Sequence, residues 1–178
     1  LEQISKALQK GGASEPLDSG KVLIKEGVTI DEIGTEIQNT TKFSKKDFLA
    51  LVNDENFLNE LKNKYPELLT SALEAKDVRY RLEGYLYPAT YSVQDDTTLK
   101  QLVEQMVAKT NEMLSPYYSK ISERHYTVQQ VLTLASLVER EGVTPKDRYK
   151  IAGVFENRLE KNMKIQSDIS VLYALGKH

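Results

Sequence analysis

Apolar residues recur at helical spacing along most of this chain. Ile30, Ile33 and Ile37 fall three and four residues apart and mark one face of a helix. Thr29-Ile-Asp-Glu32 reads as its capping box, in which hydroxyl and carboxylate each bond the other residue's backbone N–H. Ser44-Lys-Lys-Asp47 opens a second helix, through Phe48, Leu49, Leu51 and Val52. Phe57, Leu58 and Leu61 predict a third, closed before Pro66; Leu68, Leu69, Leu73 and Ala75 predict a shorter fourth. A long amphipathic helix follows Thr97, with Leu99, Leu102, Val103, Met106, Val107 and Met113 as its stripe, and stops near Pro116. Thr127-Val-Gln-Gln130 is another capping box and starts a helix at about Val128. Pro145 suits the first turn of a last helix, where proline is tolerated, with Ile151, Val154, Phe155 and Leu159 as its stripe and Asn162 as its stop.

Two stretches break this pattern. Val22-Leu23-Ile24 is a short strand candidate. From Arg79 to Val93 the chain turns aromatic and extended: Leu82-Glu-Gly-Tyr-Leu-Tyr-Pro-Ala-Thr-Tyr91 is punctuated by Gly84 and Pro88. In an extended segment side chains alternate between faces, so one face packs inward and the other lies open to a groove. Gly11 to Gly20 is a loop by composition, and no internal repeat occurs. The expected fold class is α+β, mainly helical, with minor strands.

The helix from Val128 to Glu141 is the most informative. Val131, Leu132, Leu134, Ala135, Leu137 and Val138 cover nearly every side of it, which predicts a core helix. It ends in Glu139 and Glu141. Burial and the negative end of the helix dipole both disfavour a charged carboxylate there. A carboxyl group that keeps its proton is what general-acid chemistry needs. Two residues apart, these carboxylates point roughly 200° away from each other around the helix, so they do not share one ligand. The plain alternative is a pair of exposed residues in a fraying last turn, because glutamate is seldom fully buried.

Composition narrows the chemistry. The 178 residues suffice for one domain or two small ones. Twenty-four basic against 26 acidic residues leave a net charge of −2, well mixed, which argues against a nucleic-acid partner. There is no cysteine, so no disulfide and no thiolate chemistry. With two histidines, one of them the terminal His178, a metal site or a Ser-His-Asp triad would rest on His125 alone, and His125 is expected at a helix junction without chemistry. No apolar run is long enough to span a bilayer, and no signal peptide opens the chain. Leu1 to Lys10 reads as the back half of an amphipathic helix, which suggests a fragment.

Four segments in order resemble the endolytic murein transglycosylase (YceG-like) family. They are Glu26-Gly-Val-Thr-Ile-Asp-Glu32, Leu82 to Tyr91, Leu134-Ala-Ser-Leu-Val-Glu-Arg-Glu141, and Ile151-Ala-Gly-Val-Phe-Glu-Asn-Arg-Leu159 continued by Met163-Lys-Ile-Gln-Ser-Asp168. Ala89, Gly142 and Ile169 depart from the residues usual in the family, Asp, Thr or another polar residue, and Pro respectively. The resemblance implies a three-part organisation. Residues 1–20 would be the tail of a LysM-like subdomain and a loop, and 21–95 the helical N-terminal part of the catalytic region with the aromatic segment. Residues 96–178 would be a helical catalytic core truncated at its C-terminal side.

The resemblance further implies cleavage of the MurNAc–GlcNAc bond within nascent glycan strands, leaving 1,6-anhydroMurNAc ends and limiting strand length. The sugar's own 6-hydroxyl attacks, so one carboxyl group serves first as acid and then as base, and no cofactor or metal is required. By position in the motif that group is Glu141. Glu83, Tyr85, Tyr87, Gln166 and Asp168 are the candidate substrate contacts, and Glu139, Asn157 and Arg158 the supporting residues. Arg158 has Glu83, Glu139 and Glu141 as candidate partners, and Asp168 serves equally as a helix N-cap. The implied setting is the extracytoplasmic face of the bacterial cytoplasmic membrane, with a membrane-anchored full-length protein beside the cell-wall synthesis machinery and no nucleic acid. Two other functions fit the residues: a non-catalytic peptidoglycan-binding or scaffold module, and a two-carboxylate hydrolase using Glu141 with Asp168.

Overall fold

The computed structural model describes residues 20–76, 78–142 and 144–161. The chain order is β1 (Lys21–Leu23), α1 (Ile30–Thr40), α2 (Lys45–Leu51), α3 (Glu55–Lys64), α4 (Pro66–Glu74), β2 (Thr90–Ser92), α5 (Leu99–Leu114), a 3₁₀ turn (Ser115–Tyr117), α6 (Tyr118–Glu123), α7 (Val128–Glu141) and α8 (Pro145–Glu160). The fold is α+β and mainly helical, as the pattern predicts. Gln166 and Asp168 lie outside the described residues, as do 1–19. None of the described helices is long and apolar enough to cross a membrane.

Caps set the helix starts. Thr29 and Glu32 form the capping box of α1, and Thr127 with Gln130 that of α7. Thr98 with Gln101 forms a third, at α5, which the sequence reading passes over. Side chains of Ser44 and Asp54 accept from backbone N–H groups in the first turns of α2 and α3. Each such cap contributes about 1 kcal/mol.

The two strands pair antiparallel, with Val22 opposite Tyr91. Both point inward, while their neighbours Lys21, Leu23, Thr90 and Ser92 face out. Ile24 N–H to Ala89 O and Val93 N–H to Gly20 O extend the ribbon at either end. The strand is thus one residue earlier than Val22–Ile24, because Lys21 is the partner of Ser92. One core joins the inner faces of α1 to α5, the ribbon and the aromatic segment, with Phe48, Phe57, Leu69, Leu82, Tyr85 and Met106 fully enclosed.

Two expectations fail. α7 is not a core helix: only Val128 and Leu137 are buried, and Ala135 is exposed. The main core closes at Val128, so the rest of α7 extends past it as a half-covered arm. On α8, Val154 is 51% exposed, although its spacing placed it on an inward stripe. The helical segment from Ser115 to Glu123 was not foreseen beyond the stop at Pro116; α6 is short and contributes no buried residue, so it leaves little apolar periodicity to read.

His125 sits between α6 and α7 with a left-handed φ of 58°. Its N–H donates to Ser122 O, and Tyr126 N–H to Ile121 O, the paired bonds of a Schellman stop. A side chain in that conformation is strained, and glycine is not. His125→Gly is expected to raise stability by about 0.5–1 kcal/mol, read by denaturant unfolding; a loss would show that the imidazole itself holds the junction.

Burial pushes the phenols of Tyr91 and Tyr118 up to about 12, with the neighbouring Tyr87 and Glu67 adding smaller effects. Their neutral forms are therefore favoured by the fold. The stability they supply is complete below the ordinary tyrosine value near 10 and is lost as pH climbs toward about 12. Unfolding midpoints should fall across that window together with the rise of tyrosinate absorbance, and a flat profile would contradict this burial.

Candidate functional site

A cavity of about 930 Å³ opens between three elements. The β1–α1 loop, residues 25–29, forms one side, the segment between Val78 and Pro88 a second, and α7 the third. Gln129, Thr133, Ser136 and Arg140 recur at three- and four-residue intervals and therefore share one face of α7, which is the face turned to the cavity. Leu132 and Leu137 flank this polar stripe. The opposite walls add Val28, Tyr80, Leu86 and Pro88, so the lining is apolar with a polar seam.

The seam is fastened at its start. Tyr85 is fully buried, and its hydroxyl donates to Gln129 Oε1 at 2.8 Å. Gln129 N–H donates to Ser71 Oγ at 3.1 Å, which ties the first turn of α7 to α4. Burial drives the Tyr85 phenol well above the usual tyrosine range, with Ser71 acting weakly the other way, so it stays a donor. Tyr85 O in turn accepts from the buried Thr110 hydroxyl of α5, at 2.7 Å.

At the other end of α7, Arg140 Nη2 donates to Gly27 O at 3.1 Å. Gly27 has φ 72°, and a Cβ there would lie 3.5 Å from Glu139 Oε1. A Cβ at that distance would make only ordinary contact, so it is the left-handed backbone, not the space beside Glu139, that favours glycine at position 27. Glu83 Oε1 accepts from Ile30 N–H at 2.9 Å, which holds the aromatic segment against the first turn of α1. Three carboxylates, Glu26, Glu83 and Glu139, and three cations, Lys25, Arg79 and Arg140, line the cavity together. Arg79 lies 5.4 Å from the ring centre of Tyr80.

The candidate residues divide accordingly. Glu83 and Glu139 line the cavity. Tyr85 lies beneath it in the core, where it cannot offer its ring to a ligand, so its expected substrate contact gives way to a structural role. Tyr87 is half-buried and is not among the described lining residues; its carbonyl accepts from Tyr91 Oη at 2.6 Å. Glu141 is the last residue of α7, exposed, on the far side of Leu137 from the cavity. The enclosed carboxyl group expected at this helix end is not formed by the described residues: Glu139 is exposed as well, because the last turn of α7 lies beyond the core. Asn157 is exposed and Arg158 half-buried on α8, while the Arg124–Glu156 ion pair, at 2.7 Å, links α6 to α8. Among the described residues no group of His, Cys, Asp and Glu is placed to hold a metal ion. The sequence pattern does not single out Gln129, Thr133, Ser136 and Arg140, although their spacing is helical, because the leucines and valines around them dominate the helix.

The sequence model of the YceG-like family matches residues 1–178. The chain belongs to the YceG-like family. It is 48% identical over 185 residues to the endolytic murein transglycosylase of Streptococcus pneumoniae serotype 2 (strain D39), an alignment covering 99% of this chain and 33% of that protein. It is 42% identical over 159 residues to the endolytic murein transglycosylase of Bacillus subtilis (strain 168), covering 89% of this chain and 44% of that one. The chain therefore spans less than half the length of either relative. A yceG-like protein of known crystal structure from Listeria monocytogenes superposes with a TM-score of 0.82 at 37% identity, over 99% of this chain and 58% of that one. In this YceG-like chain, three of the four segments that carry the resemblance converge: the Glu26 loop, the Leu82–Tyr91 segment and the Leu134–Glu141 stretch all border one cavity.

Gly142 follows Glu141 and turns the chain into α8. A Cβ there would sit 2.4 Å from Arg148 Cγ and 2.8 Å from Val138 O, and Arg148 Nε donates to Gly142 O at 3.1 Å. Gly142→Ala should therefore lower stability by about 1–3 kcal/mol, as overpacking does, and unfasten α8 from α7. Equal stability and unchanged protection of α8 amides would show that the junction has room.

Proposed function

We propose that this chain is the core of a lytic transglycosylase that cuts murein glycan strands internally at the MurNAc–GlcNAc bond. The observation that carries the reading is the convergence of three of the four family-like segments on a saccharide-sized cavity, in a chain similar to endolytic murein transglycosylases. Cleavage without water needs one carboxyl group. It gives its proton to the glycosidic oxygen, the C1–O bond breaks, and GlcNAc leaves as an alcohol. The resulting carboxylate then takes the proton of the MurNAc 6-hydroxyl as that oxygen bonds to C1. The carboxyl group ends as it began, and no water is consumed, whereas hydrolysis by the common route requires a second carboxylate.

Glu141 is assigned as this acid and base. Its place in the family-like motif, as the last residue of the helix whose polar face lines the cavity, supports the role. Glu139, on the cavity wall, assists by position. Gln166 and Asp168 remain the further candidate substrate contacts in this reading. The protein works at the outer face of the cytoplasmic membrane, anchored there and next to the wall-synthesis machinery; the greater length of the relatives leaves room for an anchor.

Glu141→Gln is expected to reduce glycan cleavage about 10²–10⁴-fold while fold and glycan binding persist. Glu139→Gln should retain most of the cleavage; the reverse result would move the acid to the cavity wall. Products of the active protein should carry anhydro ends by mass spectrometry. Reducing ends would instead establish a hydrolase, and binding without cleavage by the full-length protein a non-catalytic module. The 178-residue chain alone should cleave much more slowly than an ectodomain of the relatives' length, and equal rates would show that these residues suffice for cleavage.

A further inference from the structure

The Tyr85–Gln129 bond orients a ligand-facing group. A glutamine amide has one accepting and one donating end. Tyr85 Oη donates to Oε1 at 2.8 Å, which commits the accepting end to the core. Nε2 is left on the cavity side, in only a long contact of 3.4 Å with Thr133 Oγ1. That contact uses at most one of its two hydrogens. Ser136 turns its hydroxyl hydrogen back onto its own helix, donating to Thr133 O at 2.8 Å. The cavity therefore presents a fixed N–H donor next to the apolar surface of Leu132, Leu86 and Pro88.

A donor beside an apolar wall matches an acetamido group, which carries a carbonyl acceptor and a methyl on one carbon. We propose that Gln129 is a specificity-determining residue of this cavity, its Nε2 donating to the acetamido oxygen of an N-acetylated sugar whose methyl group rests on the apolar wall. The choice of an amino-sugar polymer rests on the murein reading above; the binding itself does not require cleavage. The cavity face of α7 runs from Gln129 to Arg140, about 16 Å, so a bound strand spans more than one ring and is directed toward the helix end bearing Glu141. The mixed charges of the rim would also admit a peptide stem, an occupant that the experiment separates.

The test is a titration of the ¹⁵N-labelled 178-residue chain with N-acetylglucosamine oligomers, with the same oligomers after deacetylation, and with a free stem peptide. The acetylated oligomer should shift the Gln129 side-chain NH₂ signals and bind about five- to tenfold tighter than the deacetylated one. Gln129→Ala should remove this preference. Gln129→Glu, an acceptor in place of the donor, should reverse it in favour of the ammonium-bearing oligomer. Tyr85→Phe should weaken the preference by letting the amide rotate, with helix content unchanged; if that variant does not fold, the two Gln129 variants decide. Equal binding of both oligomers, or shifts at this seam from the stem peptide alone, would overturn the proposal. Acetyl-selective binding without cleavage by the full-length protein would instead defeat the transglycosylase reading and leave this one standing.

Discussion

The site depends on how α7 is held at its first turn. Helix α7 fully buries only Val128 and Leu137, with Leu132 half-covered against the core. Directed bonds add to that packing at its first turn: Tyr85 to Gln129, and Gln129 to Ser71. The first reaches from the buried aromatic segment, itself tied to α5 through Thr110. A hydrogen bond of this sort contributes only about 1 kcal/mol, yet it decides which face of the helix meets the cavity. Once that face is chosen, the 3.6-residue repeat brings Thr133, Ser136 and Arg140 into line behind Gln129.

The same repeat separates the two carboxylates. Glu139 falls on the cavity edge, three residues past Ser136, and Glu141 falls beyond the other edge, four past Leu137. The division is geometric, and no repacking of side chains would bring both onto one ligand atom. Gly27 and Gly142 serve this end of the helix differently. Gly27 supplies the left-handed turn of the β1–α1 loop beside Glu139, and Gly142 leaves room for Arg148 of α8 to pack against the end of α7 at Val138 O.

Local patterns were legible because they depend on neighbours in sequence. The boxes at Thr29 and Thr127, the isoleucine stripe of α1 and the non-helical run through Gly84 and Pro88 are all present where the pattern places them. Burial along α7 was not legible, because it depends on where the core ends. A helix with apolar residues on all sides looks central, whereas α7 protrudes beyond Val128 and uses Leu132 and Leu137 to line a hollow. Tyr85 shows the converse: an aromatic in a groove-like motif turns inward to serve as a buried donor. Glu26 was visible only as part of a resemblance, and its place on the cavity wall required the loop geometry around Gly27.

If the Tyr85–Gln129–Ser71 link governs the seating of α7, amide hydrogen exchange in Tyr85→Phe will report it directly. Exchange should be about fivefold faster at the α7 amides from Val131 to Leu134, with α5 amides losing far less protection. Unchanged protection along α7, or a uniform loss across the whole core, would contradict it.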